Sequence, residues 1–297
     1  MNVLSLFNGM NVCAMALEDA GIKVDTQYIS EIDKYANKAS DLLFPDAIQL
    51  GSVLDWRDWD IDWSSIDLVT GGFPCQAWSI AGKQLGDKDE RGMLFWTMLD
   101  IIKQVKHYNQ DANFLIENVR MKKEFEEYIT SHTEKALGEV HKVLINSALV
   151  SAQNRNRYYW TNFPVAQPKD KCVILPYVLE GDVDCKFTLS ETCLNRLKKY
   201  NNASAMLEGF DKSLCLVAGY HKMGRDNTYI KVNDDHYRKL TPRECMRLQT
   251  IPEHYIDKLL TSGISNTQLY KMTGNAWTMK VISHILRKSI GTNDYTK

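Results

Sequence analysis

Over the first 146 residues, short apolar runs alternate with stretches of helical periodicity, and this alternation restricts the possible folds more than any other feature. Residues 3–7, 26–30, 66–70, 112–117 and 140–146 read as strands, and residues 14–20, 34–43, 94–105 and 122–137 as helices. A strand followed by a helix and another strand needs a crossover connection, so the sheet is expected to be mainly parallel, with right-handed crossovers. The expected fold class is therefore α/β, a doubly wound Rossmann-like sheet. Such sheets bind ligands beyond the carboxyl ends of their strands.

From about residue 165 to 237 the rhythm gives way to short segments broken by Pro, Gly, Asn and charged residues, which predicts a separate small module. Beyond it, Thr241-Pro242-Arg243-Glu244 announces a helix, with Thr at the cap, Pro at the first position and Glu three residues after the cap. The last helix is expected at about residues 276–288. The domains read as 1–164 plus 238–297, and 165–237.

Composition removes several classes. A net charge of −1 gives no general attraction to polyanions, so a nucleic-acid partner would need positive charge gathered in one cleft. The seven cysteines are odd in number and contain no Cys-x-x-Cys pair, which argues against a disulfide framework and against a zinc site. Free thiols and no metal are expected. No stretch has the apolar length of a membrane span, and residues 1–7 read as a strand instead of a signal peptide, so the expected location is cytoplasmic.

Chemistry concentrates where strands end. Gly71-Gly72-Phe73-Pro74-Cys75-Gln76 follows a buried strand, so the chain can turn sharply and Pro74 fixes the backbone beside the Cys75 thiol. Taken alone, such a cysteine is more often inert packing. Glu117 and Asn118 end another strand, bringing a carboxyl group toward the same sheet edge, where partial burial beside a base can keep it protonated near neutral pH. In Gln153-Asn154-Arg155-Asn156-Arg157, alternation along an extended segment would point Gln153, Arg155 and Arg157 together at an anionic or carbonyl oxygen.

The first strand ends in Phe7-Asn8-Gly9, where a glycine lets the backbone approach a ligand. About twenty residues on, Glu31 stands where a carboxylate can accept hydrogen bonds from both ribose hydroxyls. The turn carries neither a phosphate-binding glycine triplet nor a Walker lysine, so S-adenosylmethionine suits it better than a dinucleotide. Thr273-Gly274-Asn275-Ala276-Trp277 reads, without context, as the start of the last helix.

Together and in this order, these segments resemble the DNA cytosine carbon-5 methyltransferase family, in its single-domain prokaryotic or phage form. Residues 6–9 look like its first cofactor motif, residues 72–76 its catalytic motif, Glu117-Asn118-Val119 its second catalytic motif and residues 153–157 its Gln-x-Arg-x-Arg motif. Residues 238–248 are similar to the helix that supports its recognition module, and Gly274-Asn275-Ala276 to its final cofactor motif. The match runs from residue 1 to about 288, with 165–237 left as the target-recognition domain.

The resemblance implies an S-adenosylmethionine-dependent methyltransferase sheet acting on double-stranded DNA. Cys75 adds to carbon 6 of a flipped-out cytosine, Glu117 holds ring nitrogen 3 and Arg155 sits at the base carbonyl and keeps Cys75 ionised. Carbon 5 then takes the methyl group, and loss of its proton expels Cys75. Pro74, Gln76, Asn118 and Arg157 complete the expected catalytic set. Phe7, Asn8, Gly9, Met10, Asn11, Glu31, Ile32, Ser52, Val53, Asn275, Ala276 and Trp277 are the expected cofactor neighbours. A closing loop over residues 76–91 offers Ser79, Lys83 and Arg91 to DNA, while Lys222 and Arg225 lie in the recognition domain, within the stretch 218–229 expected to read the target. The implied enzyme is a monomer, possible partner to a restriction endonuclease.

Two departures stand out. Met10-Asn11-Val12 occupies positions where the family has glycines or small residues, and Gly51 is followed by Ser52 where the family has an acidic residue for the adenine amine. Three alternatives share parts of the pattern: a transfer-RNA methyltransferase of the same fold, a silent DNA-binding homologue, and a thiolate enzyme using a folate donor on free pyrimidine nucleotides.

Overall fold

The structure is a computed structural model of the 297-residue chain. It describes residues 1–74, 92–199, 206–207, 212–224, 227–233 and 236–289. The chain divides into two compact units: Met1–Ile145 with Asn156–Gln167 and Ile282–Lys297, and Asn146–Arg155 with Pro168–Val281.

The first unit contains β1 (Asn2–Leu6), α1 (Val12–Asp19), β2 (Thr26–Ser30), α2 (Lys34–Leu43), β3 (Ile48–Gln49), β4 (Ile66–Gly71), α3 (Leu94–Tyr108), β5 (Asn113–Val119), α4 (Lys123–Leu137), β6 (His141–Asn146) and β7 (Asn156–Thr161). Among the described residues these strands form one sheet in the order β3-β2-β1-β4-β5-β7-β6. The pairs β3–β2, β2–β1, β1–β4 and β4–β5 are parallel, and β5–β7 is antiparallel. This is the doubly wound α/β sheet that the alternation predicts, with strand order reversing on either side of β1. Strands buried on both faces read as continuous apolar runs, which is why β1, β4 and β5 were visible in the sequence. β7 was not, because its polar start, Asn156-Arg157, breaks the apolar pattern. The core joins Leu4 and Leu6 of β1, Val69 of β4, Phe114 and Ile116 of β5 and the inner face of α3, from Phe95 to Val105.

The second unit contains α5 (Glu191–Lys199), β8 (Met206–Leu207), β9 (Tyr229–Lys231), β10 (Tyr237–Lys239), α6 (Pro242–Leu248), α7 (Glu253–Thr261) and α8 (Asn266–Asn275). β9 pairs antiparallel with β10 and parallel with β8. The helix start at Thr241 is the capping box its sequence announces: Thr241 Oγ1 accepts from Glu244 N, Glu244 accepts from Thr241 N, and Pro242 occupies the first turn. The same Glu244, fully buried, receives both terminal nitrogens of Arg238 at 2.7 Å. This unit extends beyond residues 165–237, taking in 146–155 and 238–281 as well.

The last helix, α9 (Met279–Ser289), begins later than the expected residue 276. Ala276 is extended, with φ −65° and ψ 155°, and caps α8 instead of opening α9. Its carbonyl oxygen accepts from the side chains of Arg155 and Gln249, so side chains replace the helical hydrogen bond at this break. Within the first unit, Ser283 and Arg287 of α9 bond Asp19 at the end of α1.

Candidate active site

At the carboxyl end of β1 the backbone takes two left-handed residues, Phe7 (φ 53°) and Gly9 (φ 59°). A side chain at Gly9 would meet no atom within 4 Å, so the turn borders open space. Asn8 N donates to Ser30 O, and Gly9 N donates to Glu31 Oε2 at 2.8 Å, which ties the turn to the end of β2. Glu31 Oε1 accepts from Ile32 N and Asp33 N, so backbone donors hold this carboxylate at the strand end. With one donor on it, Oε2 retains acceptor capacity for a ligand hydroxyl. Beside it, Ile32 is 78% exposed, an apolar surface where most isoleucines are buried. Asn8 Nδ2 and Oδ1 are shielded from solvent without a hydrogen-bond partner among the described residues.

Other expected cofactor neighbours are committed to the fold. Asn11 is fully buried and left-handed (φ 64°), and its amide exchanges two 2.9 Å hydrogen bonds with Gln27 and caps Ala14 N. Its side chain is therefore structural. Met10 and Val53 are buried, and the Ser52 hydroxyl caps Leu54 N at the start of a short 3-10 helix.

The ends of β4 and β5 are joined by one side chain. Asn118, 1% exposed, donates from Nδ2 to the Phe73 carbonyl at 3.1 Å, while its Oδ1 accepts from Val119 N. Phe73 packs on Phe95 at 5.1 Å, so the turn entering Pro74 is anchored on both its polar and its apolar side. Next to Asn118, the buried Glu117 carboxylate accepts from Arg157 Nε at 3.0 Å. The antiparallel register brings this about, because Arg157 opens β7 opposite Val119 and two residues from the level of Glu117.

The strand β7 starts at Asn156, after Gln153 and Arg155, and these two side chains both bond the backbone of Leu216. Gln153 and Arg155 belong to the second unit, while Arg157 belongs to the first. Arg155, 3% exposed, donates to the carbonyl oxygens of Leu216 (2.9 Å), Ala276 (2.9 Å) and Gly274 (3.3 Å). Its target is indeed carbonyl oxygen, but of the protein backbone. Gln153 accepts from Leu216 N and donates to Leu248 O, and Gln249 donates to Thr273 O while accepting from Thr278 Oγ1. Gln249 and Thr278 carried no signal in the sequence, since a single amide or hydroxyl inside a helix boundary looks like any surface residue.

Gly274 shows why a glycine stands there. A Cβ would lie 2.3 Å from the carbonyl carbon of Val217 and 2.4 Å from Ala218 N, so the backbones touch. Asn275 is exposed beside this contact, and Ala276 and Trp277 are half-buried.

In the segment 213–229, Tyr220 Oη donates to Thr228 O and accepts from Leu240 N, Tyr229 Oη donates to Gly224 O, and Asn227 donates to Tyr220 O. Burial raises the Tyr220 phenol well above its ordinary value and pushes Tyr229 up to about 12, so both remain neutral donors. Arg196 donates to Met223 O at 2.8 Å and braces this segment. Lys222 is exposed on it. Cys75, Gln76, Ser79, Lys83, Arg91 and Arg225 lie outside the described residues. No helix among the described residues is long and apolar enough to cross a membrane.

Known proteins are similar to this chain in sequence and fold. A family model described as C-5 cytosine-specific DNA methylase matches residues 1–170 and 177–291. The Type II methyltransferase M1.ScrFI of Lactococcus lactis subsp. cremoris is 31% identical, over 99% of this chain and 79% of its own length. The Type II methyltransferase M.SsoII of Shigella sonnei is 30% identical, over 98% of this chain and 80% of its own. In fold, the chain is similar to the crystal structure of the S. pombe Dnmt2 methyltransferase, with a TM-score of 0.75 at 21% identity, covering 99% of this chain and 100% of that one.

Proposed function

The chain belongs to the C-5 cytosine-specific DNA methylase family, and from that premise we propose how this DNA cytosine-5 methyltransferase works. It methylates a flipped-out cytosine within a specific double-stranded DNA sequence, using S-adenosylmethionine. The observation that carries this reading is the paired strand end: Glu117 held by Arg157, and Asn118 bonded to the Phe73 carbonyl two residues before Cys75.

The turn after β1 fits the cofactor. It offers open space at Gly9, the Glu31 carboxylate for a ribose diol, the apolar Ile32 surface for a flat base and no basic side chain suited to phosphate. When bound, S-adenosylmethionine supplies an electrophilic methyl group. Phe7, Asn8 and Gly9 are assigned to the cofactor, as are Asn275, Ala276 and Trp277 by the family motif they match.

The residues of the chain act on the base. The Cys75 thiolate forms a bond to carbon 6 as the carbon 5–carbon 6 π bond opens, and Glu117 supports ring nitrogen 3 by supplying a proton, so negative charge does not build up in the ring. Arg157 is assigned to the base carbonyl, because its guanidinium lies against Glu117, whereas Arg155 is assigned to holding the backbone at 216, 274 and 276. After methylation, the carbon 5 proton leaves to solvent and its bonding electrons restore the carbon 5–carbon 6 double bond, the carbon 6–sulfur bond breaks with its electrons returning to Cys75, and the proton on nitrogen 3 returns to Glu117. Flipping is required because attack on carbon 6 comes from above the ring plane. Lys83, Arg91, Lys222 and Arg225 are assigned to the DNA, and residues 165–237 to target recognition.

M1.ScrFI and M.SsoII are Type II methyltransferases, which supports action on DNA beside a restriction endonuclease over action on transfer RNA. The test uses methyl-labelled S-adenosylmethionine with separate pools of DNA, transfer RNA and nucleotides. Label is expected in DNA cytosine alone and is expected to vanish in Cys75→Ser, since a serine hydroxyl is far less ionised than a thiol at neutral pH. Label in RNA alone, or full transfer by Cys75→Ser, would refute the reading.

A further inference from the structure

Beneath the turn after β1 runs a chain of buried polar side chains. Asn11 and Gln27 exchange two hydrogen bonds of 2.9 Å, Gln27 Nε2 donates to Ser5 Oγ at 3.3 Å, and Thr70 Oγ1 donates to Ser5 Oγ at 3.2 Å and toward Cys13 Sγ at 3.4 Å. Asn11, Gln27, Ser5 and Thr70 are 0%, 7%, 1% and 0% exposed. The links cross three adjacent strands, since Ser5 of β1 pairs with Ile29 of β2 on one side and Thr70 of β4 on the other. Its two ends are chemically informative. Asn11 closes the turn of Phe7 and Gly9, and Thr70 precedes Cys75 by five residues on the strand that leads to it.

Apolar side chains would fill these sites without a polar requirement, and parallel strands of this kind are normally apolar on both faces. A buried neutral network is costly when any member lacks a partner and rigid when all are satisfied. Asn11 adds a second constraint, because its left-handed backbone is one that glycine adopts freely and most residues do not. In this chain the conformation is held by a side chain hydrogen-bonded to the neighbouring strand. Where glycine would leave the turn free to move, Asn11 clamps it.

We propose that Asn11, Gln27, Ser5 and Thr70 are positioning residues that fix the cofactor turn relative to the strand delivering Cys75. This rests on the assignment of the cofactor to that turn. Packing alone would require only that each polar group find a partner; positioning requires these particular links.

The two are separated by the variants Gln27→Leu and Asn11→Gly/Gln27→Leu, with cofactor binding measured by calorimetry, melting temperature recorded, and methyl transfer measured at saturating cofactor. Gln27→Leu orphans the Asn11 amide and lowers the melting temperature. The double variant removes both amides and places glycine at a left-handed position, so it is expected to regain most of that temperature. It is nevertheless expected to bind S-adenosylmethionine on the order of tenfold more weakly and to turn over more slowly, as misplacement far from the chemistry does. A double variant with restored melting temperature and wild-type affinity and rate overturns the proposal. If the double variant fails to fold, Thr70→Val carries the test: slower transfer at saturating cofactor is expected, and wild-type transfer overturns the proposal. Glu31→Ala serves as the control on the premise. If it binds the cofactor as tightly as wild type, the assignment of the cofactor to this turn fails, whatever the amide variants do.

Discussion

In the first unit the backbone polar groups of β1, β2, β4 and β5 are satisfied by ladders with neighbouring strands, and side chains such as Glu31 and Asn118 bond backbone at the strand ends. In the second, carbonyls at 216 and 276 and at the helix ends 248, 273 and 274 accept from the side chains of Arg155, Gln153 and Gln249. The difference shows where similar residue types become catalytic or architectural. Arg155 and Arg157 stand two apart in one motif, yet one is consumed by carbonyls while the other meets a carboxylate at a strand end.

Paired glycine substitutions break this comparison most severely. Gly274→Ala would push a methyl group into rigid backbone at Val217 and Ala218, with no flexible atom to give way. We expect a loss of at least about 4 kcal/mol, the range of severe overpacking and backbone strain. Gly71→Ala in β4 meets Met98 Sδ at 3.0 Å, the yielding end of a flexible side chain. Its cost should be nearer about 1 kcal/mol. Urea unfolding of the two variants measures both, and equal costs would mean that the second unit is no more dependent on close backbone approach than the first.

The two arginines give the next contrast. Arg155→Leu strips a buried donor from three carbonyl oxygens and should cost about 3 kcal/mol of stability. Arg157→Gln keeps an uncharged donor beside the buried Glu117 and should cost less, about 1–2 kcal/mol of stability. Its methyl transfer should nonetheless fall by about a hundredfold, the scale on which removing one donor from a reacting group acts. Unfolding and turnover measured on the same preparations decide this. Loss of turnover without loss of stability in Arg155→Leu would return the base carbonyl to Arg155.

The sequence was most legible where one physical requirement dominated. Continuous apolar runs revealed β1, β2, β4 and β5, and Thr241, Pro242 and Glu244 revealed the start of α6, because burial and capping each have a local pattern. Glu31 and Glu117 were legible as strand-end carboxylates. Legibility failed where function depended on long-range pairing. Alternation pointed Gln153, Arg155 and Arg157 at a ligand oxygen, but it could not show that the side chains of Gln153 and Arg155 bond the distant backbone of Leu216. Gln27, Thr70, Gln249 and Thr278 are polar residues whose partners lie 16 or more residues away, so no window of sequence shows them. Asn11 looked like a cofactor neighbour because the motif surrounds it, whereas its left-handed backbone turns the amide inward.

The smallest expected effect concerns the exposed counterpart of these buried arginines. Arg247 Nε donates to Glu253 Oε1 at 2.6 Å and Arg243 Nη1 to Glu253 Oε2 at 2.7 Å, with half of the Glu253 side chain open to solvent. The hydrogen bond from Arg247 holds the Glu253 carboxyl below its ordinary value, against a smaller opposing effect of burial and with help from Arg243. A carboxyl group depressed on folding stabilises the protein above its unfolded value of about 4.3, and that contribution is lost as pH falls through the lower folded value. Solvent screening limits it to less than about 1 kcal/mol. Comparing Arg247→Gln with the parent by urea midpoint from pH 6 to pH 3 should show a small gap at pH 6 that closes as the solution becomes acidic. A gap that stayed constant on acidification would mean that Arg247 acts through its contact with the Val178 carbonyl instead, and that even the surface of the second unit is held by arginine on backbone.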